Sequence, residues 1–163
     1  MEKSYLTDRL QLSLLETSHT DFIYQLTNTA AWVKNIGNRN ITDRAAALSY
    51  IEAVDQNPFA LYWVAERLAD QRPLGIVTYL KRPTLPYWDI GFAFLPDFHG
   101  MGYAYEAAQT ILEKIMEDPS QCPVLATTLA HNQDSIKLLN RLGMSMEKKL
   151  DGDLLLFSTN KCH

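Results

Sequence analysis

The residues best placed to do chemistry gather between Phe92 and Ala108, in FAFLPDFHGMGYAYEAA. An apolar strand stops at Pro96, crosses a turn carrying Gly100 and Gly102, and enters a helix. The two glycines clear side chains from the turn, so the amides of Met101, Gly102, Tyr103 and Ala104 can point outward together. The first N–H groups of a helix have no internal partner, and the helix dipole adds partial positive charge there. A phosphate or pyrophosphate suits such a place. A Gly-x-Gly entering a helix is also the mark of a plain tight turn, so the elements around it must decide. Two further groups stand out. Asp89 shares a small-residue strand face with Gly91 and Ala93, while Trp88, Ile90, Phe92 and Phe94 take the other face. In HNQDSIKLLNRLGM, Asn132 or Asp134 can cap a helix whose first turn carries Ser135.

Composition narrows the partners. The 163 residues, 47% hydrophobic and 21% charged, match an ordinary globular chain with one substantial core, so a single domain over 1–163 is expected. A net charge of -4 offers no general attraction to nucleic acid or to an anionic membrane. Cys122 and Cys162 lie far apart with no Cys-x-x-Cys or Cys/His cluster, which argues against a disulfide framework and against a zinc or other metal site. The charge-broken amino terminus and the lack of a long apolar run point to the cytoplasm.

The elements that must position these groups follow from periodicity. RLQLSL, residues 9 to 14, alternates as a half-buried first strand. A helix capped by Thr17 or Ser18 spans His19 to Thr29 with Phe22, Ile23 and Leu26 inward and His19 at the surface. Trp32 and Val33 follow in a loop or further turn. A loop from Ile36 to Thr42 leads from a Thr42 cap into a helix with the seam Leu48, Ile51 and Val54. Three meander strands come next: Leu61 to Arg67, Leu74 to Arg82 and Tyr87 to Leu95. The helix after the glycine turn buries Ala104, Ala107, Ala108, Ile111, Leu112, Ile115 and Met116. Val124 to Leu129 is a short strand, Gly143 ends the next helix in a left-handed residue, and a hairpin turns at Asp151-Gly152. This is a mixed α/β order. A Rossmann fold would need repeated βαβ units and a third glycine where Tyr105 stands.

These residues resemble the GCN5-related N-acetyltransferases, and among them the RimJ/RimL-like branch, over nearly the whole chain. His99, Gly102 and Ala104 in FHGMGYAYEA fall on the family's acyl-CoA signature, with His99 in place of the usual Gln, Arg or aromatic residue. Asn132, Ser135, Leu139, Leu142, Gly143 and Met144 fall on its Asn-x-x-Ser and Leu-Gly-Phe pattern, with Met144 for Phe. TDRLQLSLL resembles the branch's first strand, and IGFAFLPDF its fourth. The resemblance implies a mostly antiparallel sheet, splayed between its fourth and fifth strands and flanked by about four helices. It implies acetyl-CoA as co-substrate, its pantetheine arm lying against Phe92, Ala93, Phe94 and Asn132, its pyrophosphate on His99, Gly100, Met101, Gly102, Tyr103 and Ala104.

By the same resemblance, an amine attacks the thioester directly in a ternary complex without a metal, and backbone N–H groups near Phe94 receive the oxyanion. Ser135 would protonate the thiolate, the more so because the family's usual tyrosine position falls near Asn140, which cannot. Asp89 would serve as base. The bland alternatives are a capping hydroxyl for Ser135 and an arginine-paired or exposed carboxylate for Asp89. Glu106 reads as a solvated helix face, and Tyr62, Trp63 and Trp88 as core or pocket wall. The acceptor is a small amine or a protein N-terminus, and the chain a monomer or homodimer. Two other readings compete. One is a catalytically silent acyl-CoA-binding module, and the other a nucleotide-binding protein, against which the missing Walker lysine speaks.

Overall fold

The computed structural model describes residues 1–160. Eight strands form a single sheet in the order β1-β2-β3-β4-β5-β6-β8-β7. They are β1 (Ser4–Leu6), β2 (Leu10–Leu14), β3 (Ala60–Arg67), β4 (Arg72–Leu80), β5 (Asp89–Phe94), β6 (Leu125–Leu129), β7 (Met144–Lys149) and β8 (Leu154–Thr159). Five α-helices accompany them: α1 (Thr20–Thr27), α2 (Ala30–Asn35), α3 (Arg44–Asp55), α4 (Tyr103–Met116) and α5 (Gln133–Arg141). Every neighbouring pair is antiparallel except β5 and β6. The expected fourth and fifth strands are therefore β5 and β6, because β1, too short to show a period, precedes them.

Burial explains the elements. Leu10 and Leu12 of β2 are fully buried on either side of exposed Gln11, while Trp63, Val64 and Ala65 of β3 are buried in succession because helices cover both faces there. On α4, Ala107, Ala108, Ile111, Leu112 and Ile115 form the inward stripe, as their spacing predicts. Gly143 closes α5 at φ +81°. A Cβ on Gly75 would overlap the Phe94 ring and stand 2.6 Å from Ala93 O, so β4 and β5 pack closely only because that side chain is missing.

Of the loop or further turn expected at Trp32 and Val33, the turn is what forms, because Thr29 accepts the Trp32 amide and starts α2. Several other local expectations need correction. Asp43, rather than Thr42, caps α3 by accepting the Ala46 amide at 2.7 Å. Leu48 is exposed, and Ala47 takes the inward place beside Ile51. His19 is buried: its Nδ1 accepts the Glu16 amide and its Nε2 donates to Glu66 at 3.0 Å. Cys122 is disulfide-bonded, against the expectation from cysteine spacing, and Cys162 lies outside the described residues.

Candidate active site

The site begins with a break in the sheet. β5 pairs with β4 along its whole length, from Leu80↔Asp89 to Gly75↔Phe94, but meets β6 at the single register pair Asp89↔Leu125. Beyond that pair the two parallel strands part. Antiparallel pairing alternates the edge to which residues turn their N–H and C=O groups. Leu95 N–H donates to Leu74 O, so odd-numbered residues of β5 address β4 and the even ones, Ile90, Phe92 and Phe94, address the gap. Ala93 is thereby corrected as a backbone partner for a ligand, since its amide and carbonyl face Ile76. On β6 the same parity, set by Thr159 N–H to Val124 O and Ala130 N–H to Asp153 O, turns the backbone of Thr127 and Leu129 into the gap. Two facing strand edges with unpaired donors and acceptors make a slot for an extended, amide-bearing chain.

At the end of β5 stands the glycine turn. Gly100 and Gly102 hold φ +76° and +80°, the left-handed region that glycine reaches without strain. The first backbone bond of α4 runs from Glu106 N–H to Gly102 O. Among the described residues, none of the six N–H groups from Gly100 to Tyr105 has a hydrogen-bond partner. A row of free donors at the positive end of a 14-residue helix has the chemistry to receive an anion. His99 has another place than this row: its Nε2 donates to Phe94 O at 3.1 Å, bracing the turn against the strand and occupying one gap-facing acceptor. Beside its left-handed backbone, Gly102 has a close neighbour: a Cβ there would stand 3.3 Å from Arg9 Nη2.

Asp89 opens β5 and is 2% exposed. Both its oxygens accept from Arg82 Nε at 3.0 Å. Burial pushes its carboxyl above the ordinary range, with the Arg82 charge pulling the other way. A carboxylate whose pKa is raised in this way is a better proton acceptor than an ordinary one. Its register neighbours on the same face are Leu80, then the row Tyr62, Thr78 and Gly91, and Tyr62 accepts from Tyr50 of α3 at 3.3 Å. Desolvation raises the Tyr50 phenol. Trp88 stacks on Tyr79 at 4.9 Å, and Trp63 is fully buried.

Ser135 is half-buried on the first turn of α5, its amide donating to Asn132 Oδ1 at 3.3 Å. Asn132 is thus the cap, and the Ser135 hydroxyl has no partner among the described residues. Just before it, His131 Nε2 meets Asn35 Oδ1 at 3.0 Å, so the end of α2 reaches the β6–α5 turn beside the gap. The fold thus brings the glycine turn, Asp89 and the Asn132–Ser135 turn to the borders of one slot. Periodicity did not disclose the partners of these groups: Arg82 for Asp89, Asn35 for His131, and Thr7 and Arg9 for Glu106. Charge alternation near a strand end is too common a signal to pick them out.

A splayed parallel pair with an anion cradle at the following helix defines an acyl-CoA transferase fold, and the comparisons agree. Residues 9–145 match the acetyltransferase (GNAT) domain model, and the chain belongs to that family. An uncharacterised N-acetyltransferase of Bacillus subtilis, YnaD, is 35% identical over 74 residues, which cover 45% of this chain and 44% of that protein's length. A GNAT-family acetyltransferase of Bacillus anthracis superposes with a TM-score of 0.80 at 17% identity, over 95% of this chain and 96% of the other. RimL, a ribosomal L7/L12 alpha-N-protein acetyltransferase solved with coenzyme A, superposes with a TM-score of 0.80 at 16% identity, over 94% and 95%.

Proposed function

We propose that this chain transfers the acetyl group of acetyl-CoA to a primary amine by direct attack within a ternary complex. The observation that carries the reading is the row of six free amides from Gly100 to Tyr105 set beside the unpaired edges of β5 and β6. In this reading the cradle holds the pyrophosphate, and the pantetheine amides bond Phe92, Phe94 and Thr127 as a missing strand would. The amine nitrogen attacks the thioester carbon, a gap-facing N–H of Phe92 or Phe94 receives the oxyanion, and collapse breaks the C–S bond. Asp89, directly or through water, takes the proton that the amine loses, and the unpartnered Ser135 hydroxyl gives one to the thiolate. RimL acts on a protein N-terminus, which makes peptides with a free α-amine the first acceptors to try.

The test is acceptor-dependent thiol release from acetyl-CoA across N-terminal peptides, amino acids and polyamines. Release with one class and not with N-blocked controls is expected. Binding of acetyl-CoA without release to any amine would leave a silent acyl-CoA-binding module in place of the enzyme. Competition by ATP or NAD would favour a nucleotide site.

A further inference from the structure

Thr7 and Arg9 lie in the turn between β1 and β2, far in sequence from the glycine turn, yet both converge on it. Glu106, on the first turn of α4, accepts from the Thr7 hydroxyl at 2.5 Å, from the Arg9 amide at 2.9 Å and from Arg9 Nε at 2.7 Å. The same guanidinium extends Nη1 to Met101 O at 2.9 Å, lies 4.2 Å from the Tyr103 ring centroid and fills the space beside Gly102. Tyr103 in turn meets Phe98 edge-on, and Phe98 carries Arg67 and Arg72 over its ring. Glu106 is not the solvated helix face that its spacing suggests: its side chain is 19% exposed. Burial alone would raise its carboxyl, but the bonds from Thr7 and Arg9 hold it below the ordinary range.

An isolated surface ion pair contributes little. This one does something more specific. By donating to the Met101 carbonyl on the inner side of the turn, Arg9 turns that peptide so that the neighbouring N–H groups face outward. A carboxylate at a helix start would otherwise compete for those N–H groups and repel an anion. Saturated by Thr7 and Arg9, Glu106 does neither.

We infer that Thr7, Arg9 and Glu106 form a lock that holds the Gly100–Tyr105 amides in their anion-accepting arrangement, with Arg9 the positioning residue for acyl-CoA. The inference rests on the acyl-CoA reading above and adds its own consequence. Lysine cannot replace Arg9, because one ammonium cannot reach Glu106 and Met101 O at once with the fork's geometry.

The experiment is calorimetric titration of acetyl-CoA, paired with KM and kcat from thiol release, on native protein and on Arg9→Gln, Arg9→Lys, Glu106→Gln and the Arg9→Gln/Glu106→Gln double variant. Each single variant should raise Kd and KM for acetyl-CoA by about ten- to a hundredfold, with kcat within about threefold, since geometry and not chemistry is lost. The double variant should fall little below the worse single one, because the two residues act as a unit. Native-like affinity in Arg9→Gln, or full rescue by Arg9→Lys, overturns the lock. Should Arg9→Gln fail to fold, Glu106→Gln, nearly isosteric, decides in the same terms. If native protein itself does not bind acetyl-CoA, the acyl-CoA reading fails and the lock with it; if native binds and the variants match it, only the lock fails.

Discussion

At the scale of single residues, Ser135 and Asp89 differ in how firmly the fold commits them. Ser135 uses its amide in capping but leaves its hydroxyl unpartnered, so removing the hydroxyl should spare the helix. Ser135→Ala is expected to lower kcat by about ten- to a thousandfold with acetyl-CoA affinity close to native, read from thiol release and titration. An unchanged kcat would remove the acid role. Asp89 is the opposite case, a carboxylate held by Arg82 in a buried position that raises its pKa. If it is the base, kcat/KM rises with pH through one ionisation above the ordinary carboxylate range, and Asp89→Asn abolishes that limb. The same shift predicts a stability effect. A carboxyl whose folded pKa is raised helps folding while protonated and loses that contribution as pH rises through the folded pKa. Native protein should therefore gain melting temperature relative to Asp89→Asn as pH is lowered through that value, and lose the gain above it. A flat difference across pH would show Asp89 unshifted. Both residues were singled out as candidates by family resemblance and by their places in the chain. Their partners were not, because Arg82 reaches Asp89 from the β4–β5 loop, where side-chain direction follows from tertiary structure.

At the scale of elements, the turn between β5 and α4 is the informative one. Gly100 and Gly102 share a left-handed backbone but differ in surroundings: a Cβ at Gly100 meets nothing within 4 Å, and one at Gly102 meets Arg9. Alanine at either position carries roughly 1–2 kcal/mol of backbone strain. Gly102→Ala should be the less stable and the weaker binder, since it also displaces the Arg9 guanidinium. At Gly100, asparagine and aspartate bear the same strain in open space, so their comparison isolates charge. Gly100→Asp should bind acetyl-CoA about five- to tenfold more weakly than Gly100→Asn, with equal melting temperatures, if an anion sits on these amides. Equal affinities would count against the cradle. The glycine spacing alone marked this turn, whereas β1 escaped notice and α2 was legible only as a loop or further turn. β1 has three residues, too few for a period, and α2 is a six-residue helix held by a Thr29 cap within a stretch that carries no apolar stripe.

At the scale of the whole molecule, the order of strands and helices was legible because each long element carries its own period. The splay was not, since nothing in an apolar run such as DIGFAF says that it has a partner on one edge and none on the other; family likeness supplied it. On the proposed function, this unpaired edge, with the turn that follows it, holds acetyl-CoA. The most direct test is NMR-detected exchange and chemical-shift change of individual backbone amides, with and without saturating acetyl-CoA. Gly100 to Tyr105, Phe92, Phe94 and Thr127 should be the most strongly protected and shifted, while Ala93 and Ala126, already bonded within the sheet, change little. Binding that leaves the Gly100–Tyr105 and Phe92 amides as exposed as in the free protein would contradict the account.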